Sequence, residues 1–374
     1  DLTTIGEIDS IKLLFSENPG IVVQSIDESI EKILDNKRID YYKIGNVTTE
    51  KNLLLKNHSD SYEINIQEYR DYWFKTSMLL DKKQTANNLS EIRYTNYKKQ
   101  PLNFKFPTGF SGDKPIALKT EYRPKAAVIR EKGSNSEREL ANALFLAGFQ
   151  VKDVHMTDLI TGRENLEDVQ FIGTVGGFSN SDVLGSAKGW AGAFLYNEKA
   201  KESINNFISR KDTLSIGVCN GCQLFMELEV VNPDHEIHGK MTFNDSNKHE
   251  SGFTSVNIQK NNSIMMSSLE NCNLGVWISH GEGKFNLPYS EDKYNIIAKY
   301  TYESYPSNPN GSDFNIAMMS SSDGRHLVTM PHIERSIFQW NWAYYIRGRN
   351  DEVSPWIQAF INARDWITSY NSKK

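Results

Sequence analysis

The spacing of apolar residues changes character partway along the chain. Over the first 56 residues short apolar runs alternate with one helical stretch. Ile21-Val22-Val23 reads as a buried strand, Ile26, Ile30, Ile33 and Leu34 recur as a helix stripe, and Tyr41-Tyr42-Lys43-Ile44 resumes a strand. Together these spell a β-α-β unit too small to be a whole domain. From residue 66 to about 102 the pattern turns polar and helical, with Tyr69, Trp73, Ser77 and Leu80 three or four residues apart, then a Lys/Asn-rich stretch. Pro101, Pro107, Gly109, Gly112 and Pro115 break both periodicities and set a boundary near Arg123.

Beyond Arg123 the text becomes regular. Ala126-Ala127-Val128-Ile129 is a buried strand, and Ser136 with Glu139 three residues on forms a capping box. The helix it opens carries Leu140, Leu144 and Ala147 on one face and ends at Gly148. Further strands are expected over 151–156, 169–175, 214–218 and 327–330. Strands alternating with helices imply an α/β fold: an open, mostly parallel sheet with helices on both faces and reactive groups at the carboxyl ends of its strands.

At 374 residues the chain has room for two or three domains. A hydrophobic fraction of 39%, a charged fraction of 24% and a mean hydropathy of −0.54 describe an ordinary globular composition, and no run reaches the roughly 18 apolar residues of a membrane span. With 42 Lys+Arg against 47 Asp+Glu, the net charge of −5 gives no bulk positive field for a phosphate backbone. Neither a membrane nor a nucleic acid is an expected partner. Three cysteines cannot make a disulfide framework, and no charged-then-apolar leader precedes the first residues, so the expected address is cytoplasmic. The start at Asp1, directly in an apolar-rich segment, reads as a piece of a longer chain.

The segment Gly217-Val218-Cys219-Asn220-Gly221-Cys222-Gln223 carries the chemistry. An apolar run enters a glycine, a cysteine and a second glycine, then a helix: strand, sharp turn, helix. Glycine two residues to either side removes Cβ atoms that so tight a turn cannot hold, and the helix start favours a thiolate. Cys219 is the candidate nucleophile. Cys219 and Cys222 also spell C-x-x-C, which would suit a redox dithiol or, with distant Cys272 or a histidine, a zinc site; a plain buried cysteine is the third reading. A cysteine nucleophile needs a histidine base and a group to orient it. Two pairs offer both, His280-Gly281-Glu282 and His332-Ile333-Glu334, since an i,i+2 spacing in extended chain puts both side chains on one side. Pro331 ends the preceding strand and presents His332 and Glu334 at its carboxyl end, which favours that pair. Gly176-Gly177-Phe178-Ser179, after the strand over 169–175, can offer backbone N–H groups to an oxyanion together with the N–H of Asn220.

These segments together resemble a class I (triad-type) glutamine amidotransferase domain, of flavodoxin-like architecture. More narrowly, Ser279-His280-Gly281-Glu282-Gly283, Ala127-Val128-Ile129-Arg130-Glu131, Asp182-Val183-Leu184-Gly185 and Pro331-His332-Ile333-Glu334-Arg335 resemble the glutaminase portion of the large single-chain phosphoribosylformylglycinamidine synthases. Upstream, Leu14-Phe15-Ser16-Glu17-Asn18-Pro19-Gly20 resembles the close of their synthetase domain. Tyr72-Trp73-Phe74-Lys75-Thr76-Ser77-Met78-Leu79-Leu80-Asp81 and Asn96-Tyr97-Lys98-Lys99-Gln100-Pro101-Leu102 resemble their connector. The resemblance divides the chain into a small α+β synthetase remnant (1–65), a helical connector (66–122) and a glutaminase domain (123–374).

It implies that Cys219 attacks the carboxamide of L-glutamine, His332 passes a proton to departing ammonia and Glu334 orients His332. N–H groups near Gly177, Phe178 and Asn220 would hold the oxyanion and Gln223 would help fix the substrate. No cofactor or metal is expected on this chain. ATP and magnesium, with formylglycinamide ribonucleotide as acceptor, belong to the full-length enzyme, and the remainder of the synthetase is the expected protein partner. Ile333 and Val175 stand where the family usually has proline, and residues 244–250 match it less closely; Asn244-Asp245-Ser246 there also spells a glycosylation sequon. A catalytically silent docking module and a cysteine hydrolase of another γ-glutamyl compound remain the alternatives.

Overall fold

A computed structural model describes residues 1–99, 102–115 and 123–372. Gln100, Pro101 and residues 116–122 of the connector lie outside the described residues. The chain divides into two compact units, Asp1–Asp81 and Lys82–Lys374.

In the first unit, α1 (Ser10–Phe15) is capped by the Asp9 carboxylate, which accepts the N–H groups of Ile11 and Lys12 at 2.9 and 3.2 Å. The isoleucine stripe forms α2 (Ser29–Lys37) as expected. The flanking strands do not form: Ile21 is 88% exposed and Val22 84%, and 41–44 has no regular structure. The ladder of this unit is instead a hairpin of β1 (Asn52–Asn57) and β2 (Asp60–Asn65), followed by α3 (Ile66–Asp81). The physical reason is that a strand exists only where a partner satisfies its backbone groups, and a two-residue turn at His58 closes the hairpin with little loss of loop entropy. The residues that this unit buries are polar: Asn57 donates to the carbonyls of Glu7 and Ile8, and the Ser10 hydroxyl donates to Asp60 at 2.6 Å.

The second unit begins with α4 (Leu89–Asn96), and Phe104 and Phe106 of the following segment pack edge-on against Trp342. Its centre is one nine-stranded sheet. β3 (Lys125–Arg130), β4 (Gln150–His155), β5 (Phe171–Thr174), β6 (Leu214–Val218) and β13 (His326–Thr329) run parallel in the order β4-β3-β5-β6-β13. The connecting helices are α5 (Glu137–Ala147), α6 (Met156–Thr161), α7 (Lys188–Leu195), α8 (Glu198–Ser209) and α9 (Asn220–Glu227). Right-handed crossovers put α5, which packs with the C-terminal α10 (Ile357–Asn371), on one face and α6 to α8 on the other.

The sheet continues past β13 as antiparallel strands β12 (Ile316–Ser320), β11 (Ile296–Tyr300), β8 (Glu250–Ile258) and β9 (Asn273–His280). A separate two-stranded ribbon pairs β7 (Lys240–Thr242) with β10 (Lys284–Asn286). The antiparallel extension has no counterpart in the sequence reading, which follows the parallel half. Two local expectations also change. Ser136 begins α5 at φ 74° without capping it; its hydroxyl accepts the Gly176 N–H at 3.3 Å, so the side chain serves the glycine turn. Gly148 ends the helix at φ 104°, as the sequence predicts.

Candidate active site

β6 delivers Cys219 at φ 51° and ψ −104°, a conformation that L-residues rarely adopt, and α9 starts at the next residue. The two glycines make the bend possible. A Cβ at Gly217 would stand 2.5 Å from the Gly221 carbonyl oxygen, and one at Gly221 would stand 2.2 Å from that of Thr174. The Cys219 N–H donates to the Thr329 carbonyl at 2.8 Å, and its thiol lies 3.5 Å from the Ser279 carbonyl oxygen. The side chain is 5% exposed.

Beside it stands His332. Its N–H donates to the Trp277 carbonyl at 2.8 Å, and the Ser336 hydroxyl donates to its carbonyl at 3.1 Å. Glu334 Oε1 meets His332 Nδ1 at 2.6 Å, and both side chains are buried. The pair does not use the extended chain expected from its spacing: Glu334 sits on a 3-10 turn (Ile333–Ser336) that folds it back to the ring. Ile333 is fully buried in that turn, so the departure from proline leaves the contact intact. With Nδ1 taken by Glu334, Nε2 is the ring nitrogen left to exchange a proton. Burial works against charge on the imidazole, but the Glu334 carboxylate and the adjacent cysteine outweigh it and raise His332 to about 10; burial also opposes ionisation of Glu334, and the imidazolium overcomes it and lowers the carboxyl. Both side chains line a cleft of about 730 Å³ together with Ser279, Trp277, Arg335 and Trp340.

The glycine turn closes the other side. Gly176 has no Cβ because one would stand 2.7 Å from His332 Cε1 and 3.4 Å from Cys219 Cβ; the residue fits between nucleophile and base. Gly177 has φ 114° and lies against the backbone of residues 133–135. The Phe178 N–H does not face the thiol: it donates to the Gly133 carbonyl at 2.9 Å, and the half-exposed ring rests near His249. Of the three N–H groups expected to face an oxyanion, that of Phe178 is therefore committed to the backbone of the neighbouring loop.

Asn220 and Gln223 form a buried relay. Ser179 N–H donates to Asn220 Oδ1 at 3.2 Å, Asn220 Nδ2 to Gln223 Oε1 at 3.0 Å, and Gln223 Nε2 to the Glu282 carbonyl at 2.7 Å. Both ends of the Gln223 amide are thus occupied, and it shapes the pocket by holding the 280–283 loop. His280 and Glu282 do not pair with each other. His280 Nδ1 faces Asn244 Oδ1 at 3.1 Å and its Nε2 faces Asn310 at 3.5 Å, while the Glu282 carboxylate accepts the Ser186 N–H. Burial, reinforced by His332 and His249, pushes His280 down to about 3.

Cys222 is fully buried, and burial, then the neighbouring Cys219, raises its thiol well above the ordinary range, which does not suit a redox partner. Among the described residues no three His, Cys, Asp or Glu side chains are placed to hold a metal ion, and no helix is long and apolar enough to cross a membrane. The Asn244 amide is buried and hydrogen-bonded, so the sequon is not open to a glycan in the folded chain. Sequence reasoning missed Asn244, which gives no signal outside its tertiary contacts, and it read Gly176 only as half of a glycine pair offering N–H groups, not as the spacer between Cys219 and His332.

Comparison with known proteins gives the family. The CobB/CobQ-like glutamine amidotransferase domain family matches residues 123–367. The probable phosphoribosylformylglycinamidine synthase, chloroplastic/mitochondrial, of Arabidopsis thaliana is 35% identical over 401 residues, 99% of this chain and 28% of that protein. The probable phosphoribosylformylglycinamidine synthase of Caenorhabditis elegans is 37% identical over 96% of this chain and 30% of its own length, and the phosphoribosylformylglycinamidine synthase of Homo sapiens is 34% identical over 97% and 30%. The chain spans about three tenths of the length of these curated relatives. A solved structure of PurLQS from Thermotoga maritima shares the fold, with a TM-score of 0.52 at 24% identity over 67% of this chain and 100% of that one. With a family match that takes in the elbow, the glycine turn and the histidine–glutamate pair, this chain belongs to the CobB/CobQ-like glutamine amidotransferase domain family.

Proposed function

We propose that this chain is the glutaminase portion of a phosphoribosylformylglycinamidine synthase, hydrolysing L-glutamine and supplying ammonia to the synthetase. The observation that carries the reading is the buried His332–Glu334 contact at 2.6 Å beside a cysteine held at φ 51°. With the thiol proton already held on the His332 imidazolium, Cys219 Sγ attacks the side-chain amide carbon. The tetrahedral oxyanion is held by the N–H groups of Gly177 and Asn220. His332 gives the proton to the departing nitrogen, ammonia leaves and a γ-glutamyl thioester remains. Water, deprotonated by His332, then releases glutamate and restores the thiol. Glu334 holds Nδ1–H throughout and favours the imidazolium in both steps.

Residues 1–65 serve as a synthetase remnant and 66–122 as the connector. ATP and magnesium belong to the remainder of the synthetase, where ammonia replaces the formyl-amide oxygen of formylglycinamide ribonucleotide; no step on this chain runs through them. A cytoplasmic address completes the reading, and imaging of the full-length protein in its own cells tests it.

The test of function is covalent. A glutamine-like alkylating analogue followed by peptide mapping should label Cys219, in competition with glutamine, and glutamate release should depend on the same thiol. Label on Cys222, or on no cysteine, overturns the assignment. Protection by a different γ-glutamyl compound but not by glutamine would make the chain a hydrolase of that compound.

A further inference from the structure

Two segments remain without a role in this chemistry, the 280–283 loop and residues 244–250, and the structure joins them at one buried side chain. Asn244 is 1% exposed. Its Nδ2 donates to the carbonyls of His280 at 2.8 Å and Lys248 at 3.0 Å. Its Oδ1 accepts the Gly283 N–H at 3.0 Å and meets His280 Nδ1 at 3.1 Å, and its own N–H donates to the Gly281 carbonyl at 2.9 Å. The amide orientation follows from its partners, because two carbonyls require the nitrogen and a backbone N–H requires the oxygen. His280 must then carry its proton on Nδ1, with Nε2 facing the Asn310 amide.

What this clamp holds is the wall of the candidate site. The Ser279 carbonyl stands 3.5 Å from the Cys219 sulfur, and the Glu282 carbonyl receives Gln223 Nε2 at 2.7 Å. Two glycines in the span, Gly281 and Gly283, leave it little conformational preference of its own. Gly283 is also required by the clamp, since a Cβ there would stand 2.4 Å from His280 Nδ1. The clamp is anchored from behind as well: Ala86 N–H donates to the Ser246 carbonyl at 3.0 Å, Asn87 to the Asp245 carbonyl at 2.8 Å, and Arg93 to Glu250 at 2.6 Å.

We propose that Asn244 is a positioning residue for the cysteine chemistry, setting the 279–283 wall against Cys219 and Gln223. The proposal rests on the glutaminase reading for its effect on turnover, and on geometry alone for its effect on the thiol. Without the clamp the wall samples several conformations, so the loss falls on kcat, where the thiol must be held, more than on KM.

The test compares the chain with Asn244→Ala and, where the alanine variant yields no folded protein, Asn244→Asp, which keeps both accepted hydrogen bonds and turns an oxygen toward two carbonyls. Asn362→Ala on α10, which removes hydrogen bonds to Met265 and Ser268, serves as a control for lost stability alone. Cys219 sites are titrated by mass, and glutamine kcat and KM and the rate of Cys219 alkylation by iodoacetamide are measured per site. The expected result is kcat per site lower by about tenfold or more with KM changed by less than about threefold, an alkylation rate shifted at least about threefold, and neither change in the Asn362 variant. Alkylation and kcat per site within about twofold of the parent in a folded Asn244 variant overturn the proposal while leaving the glutaminase reading standing. A parent that hydrolyses no glutamine, with alkylation still altered by the substitution, overturns the glutaminase reading and leaves the positioning role standing.

Discussion

A methyl group at position 176 would act as a wedge between the two reacting side chains. The added Cβ would stand 3.4 Å from Cys219 Cβ, a tight but tolerable contact, and only 2.7 Å from His332 Cε1. The ring has little freedom to yield, being 2% exposed and tied by Nδ1 to Glu334 at 2.6 Å and by its backbone N–H to Trp277 at 2.8 Å. Raising the 2.7 Å approach to 3.4 Å displaces the imidazole by about 0.7 Å. A misplacement of that order costs up to roughly 100-fold in rate, whereas overpacking a well-filled interior costs roughly 1–3 kcal/mol of stability. The backbone at 176 is not left-handed, so alanine adds no backbone strain there. Gly176→Ala should therefore fold, with analogue labelling of Cys219 and glutamine turnover per titrated site reduced about 30- to 100-fold. Gly177→Ala, which meets the backbone of 133–135 at φ 114°, should instead lose folded protein. Per-site turnover of the Gly176 variant within about threefold of the parent would refute the reasoning, because the base would then tolerate displacement from the thiol.

Cys219→Ala should abolish glutamate release and leave the fold intact, and Cys219→Gly should be more stable than the alanine variant by up to about 1 kcal/mol, because glycine relaxes the bend; calorimetry of the two checks this. His332→Ala should reduce turnover per site more than His280→Ala, and the reverse order would put the base on the wrong histidine. Burial holds His280 and His326 neutral, at about 3 and about 4, whereas the unfolded chain binds those protons near 6.5. Both folded values are depressed, so stability is full above pH 6.5 and declines toward pH 4, each histidine contributing on the order of 1 kcal/mol per pH unit. Melting temperatures of His326→Gln from pH 7 to 4.5 should fall less steeply than the parent's, and parallel curves would contradict the assignment.

Much of the site was legible because its geometry is written locally. The bend at Cys219 needs glycine at two fixed offsets, and Pro331 with the i,i+2 pair keeps His332 and Glu334 within a few residues of each other. What failed depends on partners distant in sequence. Ile21-Val22-Val23 has strand composition, but strand formation needs a second strand, and none pairs with it among the described residues. Ser136 and Glu139 have capping-box spacing, yet the hydroxyl is drawn to Gly176, 40 residues away. Phe178 lost its assigned donor role to Gly133 for the same reason. Asn244 carries no local signal at all, since its partners at 280–283 are reached only through the β8–β9 pairing.

The register of the two central parallel strands has a mechanical consequence. Val218 and Thr329 sit on the same rung, and the thiol-bearing residue hangs from that rung by one short backbone link. The imidazole departs from the neighbouring strand but is also moored to Trp277 on β9, the outermost strand of the antiparallel side. Displacement of that far edge therefore reaches the imidazole through Trp277 and the sulfur through the Ser279 carbonyl. The base thus answers to strands from both halves of the sheet, whereas the backbone of the nucleophile answers to the parallel half.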